Sequence, residues 1–274
     1  MGGARLESLF VTLAYGVCVG SSSKFERLAL SGISAVDPEA PILVRYDQRS
    51  IFEAYNSIID EAATLDTEGL VFIHDDVLIR DINFATKMTA LFEDPTIGIV
   101  GVVGASNLKN IEWWWFDTHG GVEENGRRID FGVGTFDVDV VDGLLIAMSP
   151  TALRTLRFDE TNFSGFHGYD VDIGMQAKSA GLRVVVADFD VFHDSVPGRV
   201  TNRAAHLKAG YVWRRKWRRT ASQRIDYLVF LWGVRKLGMR HWIPRLMGPA
   251  GPKAEVLLHA VGKLRGMRPK VKED

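Results

Sequence analysis

Along the first two hundred residues, apolar positions come in short runs separated by stretches with helical spacing. Leu9–Val19 and Ile42–Tyr46 have the composition of buried strands. Leu9–Gly20 lacks a basic lead and an Ala-x-Ala cleavage pattern, so it reads as a strand rather than a signal peptide. Ser50-Ile-Phe-Glu53 has the spacing of a capping box and predicts a helix over residues 51–63. Leu70–Ile73 is a short buried strand, Ile82–Phe92 a helix and Ile97–Val103 a strand. Further on, Val138–Val141 and Leu144–Met148 read as strands separated by Asp142-Gly143. Gly168–Ala180 reads as a helix closed by Gly181, and Val184–Ala187 as a last strand. Strands alternating with helices predict an α/β fold with a mixed, mostly parallel sheet covered by helices on both faces.

Two stretches break the rhythm. Gly104–Thr135 is rich in Gly, Asn and Trp, centred on Trp113-Trp114-Trp115, and reads as a long functional loop. From Arg199 onward the pattern is helical and basic, which sets the expected domains at 1–198, a catalytic body, and 199–274, a helical extension.

Charge sharpens that division. The net charge of −1 hides a body of about −16 over residues 1–198 and a tail of about +17 over residues 199–272. The tail carries Trp213-Arg-Arg-Lys-Trp-Arg-Arg219, the apolar Ile225–Val234, and Trp232 and Trp242. Such a surface suits an anionic membrane, with nucleic acid the less fitting partner. No run of 18 apolar residues is present, and the lone Cys18 excludes an intrachain disulfide. The expected location is therefore the cytoplasm, peripheral at the inner face of the membrane.

Candidate chemistry sits at the strand ends, where open α/β sheets bind ligands. Leu70–Ile73 runs straight into His74-Asp75-Asp76, which places carboxylates at that edge. Hard divalent cations such as Mg²⁺ and Mn²⁺ take oxygen ligands, and an ion there neutralises a leaving diphosphate. Asp75 or Asp76 capping a turn is the competing reading. Asp170 and Asp172 fall in the first turn of a helix after Gly165-Phe-His-Gly168. Asp170 suits a general base, and Asp172 suits the helix cap. His193 follows the last strand and suits metal or phosphate contact. Asp142-Gly143 is either a turn or part of the acceptor side. Trp114 and Trp115 either stack on a sugar or, with Trp113, anchor the loop.

In this order, His74-Asp75-Asp76, Gly101-Val-Val-Gly-Ala-Ser106 with the tryptophans, Val141-Asp-Gly143, Phe166-His-Gly-Tyr-Asp-Val-Asp172 and His193 resemble family-2-like glycosyltransferases of the GT-A fold. The resemblance covers roughly residues 8–200. It implies a divalent cation, Mn²⁺ or Mg²⁺, at Asp76 and His193, and Asp170 as the base of an inverting transfer. It also implies a nucleotide-sugar donor near Ala14, Tyr15, Arg45, Asp47 and Asp75. A glycan, lipid-linked or other hydroxyl acceptor would lie near Trp114, Trp115, Asp142, Gly143, His167 and Tyr169. His74 stands where the motif has Asp, and Tyr169 where it has Glu. Two other functions compete. A sugar-phosphate nucleotidyltransferase would need a basic Gly-rich loop after the first strand, and Gly20-Ser-Ser-Ser-Lys24 is a poor match. A nucleic-acid-binding protein acting through the tail leaves the strand-end acids unexplained.

Overall fold

A computed structural model describes residues 13–195 and 202–217. They fall into two units, the first ending at Asn202 and the second beginning at Arg203. In chain order the first unit holds β1 (Ala14–Val19), α1 (Ser22–Phe25), a π-helical stretch (Glu26–Leu30), α2 (Ser31–Val36), β2 (Ile42–Tyr46) and α3 (Ile51–Ala62). Then come β3 (Leu70–Ile73), β4 (Val77–Ile79), α4 (Phe84–Phe92), β5 (Ile97–Gly101), β6 (Val103–Ser106) and a 3₁₀ turn (Trp113–Trp115). The strands β7 (Asp117–Glu124), β8 (Arg127–Asp130), β9 (Phe136–Val138), β10 (Val140–Val141) and β11 (Leu145–Met148) follow. Last are α5 (Pro150–Thr155), α6 (Tyr169–Ser179), β12 (Arg183–Val186) and β13 (Val191–His193). The second unit contributes α7 (Arg203–Trp217).

The main sheet has seven strands in the order β2-β1-β3-β11-β5-β12-β9. Its parallel share is smaller than the strand–helix rhythm suggests. Pairing is parallel across β2-β1-β3 and β5-β12, while β11 runs antiparallel between β3 and β5, and β9 antiparallel to β12. Helices cover both faces. A side chain at Gly16 would strike Ile58 of α3, whereas the adjacent Tyr15, pointing the opposite way, packs near Phe84 of α4. The α3 face carries an aromatic core in which Tyr55 stacks on Phe72 at 4.2 Å and meets Phe158 and Tyr169 edge-on.

The segment expected as one long loop supplies β7, β8 and most of β6 to a second sheet, β10-β6-β7-β13-β4, with β8 pairing β7. The strand expected over 97–103 ends at Gly101, and the chain crosses to the second sheet at Val103. Asn125 and Gly126 turn the β7–β8 hairpin with φ of 49° and 79°, the left-handed pair a two-residue hairpin requires. Trp113 is 7% exposed and anchors the 3₁₀ turn, while Trp114 and Trp115 are 42% and 76% exposed.

Other boundaries agree closely with the periodicity. The strands at 42–46 and 70–73 have the expected limits. Helix α3 starts after Ser50 but without the capping-box bond, since the Ser50 hydroxyl is buried with no partner among the described residues. Gly181, at φ 79°, closes α6 by donating to the Lys178 carbonyl. Of the basic extension, α7 carries Arg214, Arg215 and Lys216 in its last turn, with the Arg215 guanidinium 5.7 Å from the centre of the Tyr211 ring. The expectations for Ile225–Val234, Trp232 and Trp242, and for the strand before Leu13, lie outside the described residues.

Candidate active site

Strand register gathers the chemistry at one edge. β1 and β3 are parallel, with Tyr15 opposite Val71, so Gly20 and His74-Asp75-Asp76 emerge together. β11 starts at the same edge, Leu145 facing Ile73, and the His74 N–H donates to the Leu144 carbonyl at 3.0 Å. From the second sheet, His193 pairs with Val77, and the Asp194 N–H donates to the Asp76 carbonyl at 2.8 Å. Between these ends opens a cleft of about 580 Å³. Cys18, Val19 and Gly20 line it beside Asp47, Gln48 and Ile51; His74, Asp75 and Asp76 face them, with Phe166, His167 and Tyr169.

His74, Asp76 and His193 form a cluster whose ligand-type atoms all lie within 4.8 Å of one another. Asp76 Oδ1 is 3.3 Å from His193 Nε2, and Asp76 Oδ2 is 3.3 Å from Lys24 Nζ. Burial opposes ionisation of Asp76. The hydrogen bond from His193 and the charges of His74, His193 and Lys24 outweigh it and hold the carboxyl well below its usual range. Burial likewise opposes a charge on His193, yet its bonds to Asp76 and Glu124 lift it to about 9. His74 is pushed the other way, by burial and then by the neighbouring His193. Its Nε2 lies 2.5 Å from the Tyr169 hydroxyl.

Asp170 sits in the first turn of α6 and keeps a solvent-exposed face. Burial, and then the charge of Asp142, raise its pKa to about 7, while backbone N–H groups of Val171, Asp170 and Gly143 pull downward. Asp142 is raised by its own burial, with the Leu144 N–H holding its Oδ1 at 2.8 Å. The buried carboxylate of Asp172 accepts from Gln176 Nε2 at 2.8 Å, one turn along the helix.

The remaining expected residues divide between cleft and scaffold. Asp75 lines the cleft, but its Oδ2 accepts the N–H groups of Gly20 and Ser21 at 2.8 and 2.7 Å, tying the β1 loop to the β3 end. Asp47 lines the cleft at φ 53°. Ala14 and Tyr15 are fully buried inside the sheet, with Tyr15 pointing toward Asp37, so they cannot touch a ligand; the three residues that follow Val17 take that place. Arg45 is turned onto α3, bonded to Ser57 at 2.8 Å and Glu61 at 2.7 Å, away from the cleft lining. Trp114 and Trp115 also stand outside the lining, because their turn leads into the start of β7, seven residues from the Glu124 end that meets His193.

Gly143 has a different task from the one expected. A Cβ there would overlap the Tyr169 phenol, so glycine is what lets that ring reach His74. Tyr169 is hemmed in by Phe52, Tyr55 and Phe158 and cannot retreat. Gly143→Ala is expected to destabilise the protein by about 1–3 kcal/mol and to break the Tyr169–His74 bond. A fall in melting temperature of several degrees checks it.

Three contributors went unnoticed in the sequence. Glu124 Oε1 lies 3.4 Å from His193 Nδ1 and accepts the Ser195 hydroxyl at 3.2 Å. Its signal was Asn125-Gly126, a hairpin turn that makes Glu124 a strand end. Lys24 reaches Asp76 and donates to the Asp194 carbonyl at 2.7 Å. Phe166, 47% exposed, projects from a segment bounded by Gly165 and Gly168, both left-handed.

The sequence profile of the Glycosyltransferase like family matches residues 34–208, well over half the chain. The protein belongs to that glycosyltransferase family. The streptomycin biosynthesis protein StrF of Streptomyces griseus is 37% identical over 186 residues, which is 66% of this chain and 66% of StrF. A structure of GalNAc-T7 with UDP, GalNAc and Mn²⁺ superposes over 75% of this glycosyltransferase and 48% of its own chain, at a TM-score of 0.52 and 10% identity. Its likeness establishes the GT-A fold. The mannosyltransferase PcManGT of Pyrobaculum calidifontis, in complex with GDP-Man and Mn²⁺, aligns over 94% of this chain and 81% of its own at 15% identity and a TM-score of 0.49. Among the described residues, no helix of this glycosyltransferase is long and apolar enough to cross a membrane.

Proposed function

We propose that residues 1–198 transfer a sugar from a nucleotide diphosphate donor to an acceptor hydroxyl with inversion, Asp170 serving as the base. The observation that carries this is an acid–imidazole cluster at the sheet edge, whose His74 and Asp76 line the cleft, together with Asp170, which does not itself line the cleft but directly follows the lining residue Tyr169. The nucleotide fits the end bounded by Cys18–Gly20, Asp47 and Gln48, next to Asp75. The three residues of the metal cluster offer two imidazole nitrogens and a carboxylate, a donor set that suits a divalent ion. His74, Asp76 and His193 would hold that ion, Mn²⁺ or Mg²⁺, and when bound it neutralises the leaving diphosphate. Lys24 supplies a fixed positive charge at the same carboxylate.

Asp170 does the proton work. Its pKa of about 7 leaves it largely ionised just above neutrality, yet basic enough to take the proton of an attacking hydroxyl. Phe166 and His167, held between two left-handed glycines, present an aromatic edge on which the acceptor is held. The acceptor is a glycan, a lipid-linked saccharide or another hydroxyl compound, and the basic tail suits an anionic membrane surface that would supply a lipid-linked one.

A melting-temperature screen of nucleoside diphosphates and their sugars, with and without Mn²⁺, tests the reading. One nucleotide family is expected to stabilise the protein by about 2.7 kcal/mol at a hundredfold excess over its dissociation constant. If none stabilises it, and a nucleoside triphosphate with a sugar phosphate yields pyrophosphate instead, the assignment fails in favour of nucleotidyl transfer.

A further inference from the structure

We propose that Asp142 is a positioning residue for the transfer, acting through Asp170: it aims the Gly143 N–H at that carboxyl and places a second carboxylate beside it. The inference rests on Asp170 being the base. Its basis is the way α6 packs on the chain between β10 and β11.

Helix α6 lies directly on β10. A Cβ at Gly174 would strike the Asp139 carbonyl and Val140, so the absent side chain is what brings the helix so close. Asp170 stands four residues earlier, on the same side of the helix and one turn nearer its start. The chain leaving β10 meets that first turn as Asp142-Gly143-Leu144. There Gly143 abuts the Tyr169 phenol, and its N–H bonds the Asp170 carboxyl.

Three bonds fix this turn. The Asp142 N–H donates to the Val103 carbonyl at 2.8 Å, and the Leu144 carbonyl accepts from the His74 N–H at 3.0 Å. Between them, Asp142 Oδ1 accepts the Leu144 N–H at 2.8 Å, the bond two residues on that an aspartate uses to close a turn. With the Leu144 N–H taken up by the side chain, the Gly143 N–H is the one presented to Asp170. The same closeness sets two acids together, and like charges oppose each other's ionisation. Asp142 is the strongest charge acting on Asp170, and it adds to burial in holding that proton to about pH 7. The other titratable neighbours are Tyr55 on α3 and Tyr169 on α6 itself, both raised by burial, with the Cys18 thiol of β1 behind them, pushed up to about 11. These three carry no charge at neutral pH. Asp75 acts on Tyr55 and Cys18, and Asp142 faces His193 and His74, which favour its charged form, and Glu124, which opposes it.

Carboxyl ¹³C titration of the full chain labelled at aspartate tests this without any substrate, the Asp170 signal being the one lost in Asp170→Asn. Its wild-type midpoint is expected near 7. Asp142→Asn keeps an oxygen for the Leu144 N–H and drops the charge, and Asp142→Ser does the same with a shorter side chain. Each is expected to lower the Asp170 midpoint by about one pH unit. The half-maximal pH for turnover of the nucleotide sugar that the melting screen selects should fall with it. The plateau should drop by about two- to fivefold, because a weaker base takes a proton less readily. Asp142→Ala loses the turn bond as well and is expected to lower the plateau by about tenfold or more. A wild-type Asp170 midpoint below about 5, or one unmoved in both Asp142→Asn and Asp142→Ser, overturns the pairing. A midpoint that moves as expected while Asp170→Asn retains turnover overturns the base reading on which the inference stands.

Discussion

Asp170→Asn is expected to cut sugar transfer by about 10²–10⁴-fold, the usual worth of a positioned base, while donor affinity changes less than about twofold. In the wild type, turnover should climb with pH and reach half its plateau near 7, because the acid form cannot accept a proton. Asp142, Tyr169 and Tyr55 are the titratable groups in electrostatic contact with it, and of these Asp142 pushes the midpoint upward. The same substitution should stabilise the fold. The folded chain keeps this proton to about pH 7, whereas the unfolded chain releases it near 3.8. Stability from the retained proton is therefore full below 3.8 and lost as pH rises through 7. Asparagine has no charge to bury, so its gain is absent at pH 4 and complete at pH 8, at about 2 kcal/mol once solvent contact and weakened backbone bonds are discounted. Kinetics and melting curves at the two pH values check both halves. More than a tenth of wild-type turnover in Asp170→Asn would reject the base role.

Asp76→Ala is expected to be the most damaging change at the other end of the cleft. It removes the carboxylate of the cluster that His193 and Lys24 share, leaving Glu124 and Asp194 as their remaining acidic neighbours. Transfer should fall by roughly 10³-fold or more, and Mn²⁺ should no longer enhance nucleotide-sugar binding. Stability should drop by about 1–3 kcal/mol. Asp76→Asn, which keeps the shape, is expected to lose activity equally. Retained Mn²⁺-dependent donor binding in either variant would dissociate Asp76 from the ion.

Much of this architecture was visible in the spacing of apolar residues, and the reasons are local. A strand such as 70–73, buried on both sides, must be continuously apolar, and the acids that stop it mark where the sheet meets solvent. Asp76 and His193 were recognisable as polar groups at such strand ends, and Asp170 as an acid in the first turn of a helix. Residues whose roles depend on register were not. Nothing near Tyr169 in sequence says that its phenol meets His74, because that contact is set by the pairing of β3 with β11 and by a missing side chain at Gly143. Arg45 looked available for a nucleotide, but its neighbour across one helical face, Glu61, lies sixteen positions away and captured it. The tryptophans attracted attention by rarity, and rarity carries no information about distance from the chemistry.

Glu124 belongs to a hairpin, and its partner His193 to the strand beside it, so the cleft is completed from outside the main sheet. The proposed reactive centre is therefore a seam. Loosening of the β7–β8 hairpin, whose tip is exposed at Gly126, would disarm the enzyme at temperatures where its larger half is still intact. Heat inactivation should accordingly precede global melting, and rigidifying that hairpin is the shortest engineering route to a more durable catalyst.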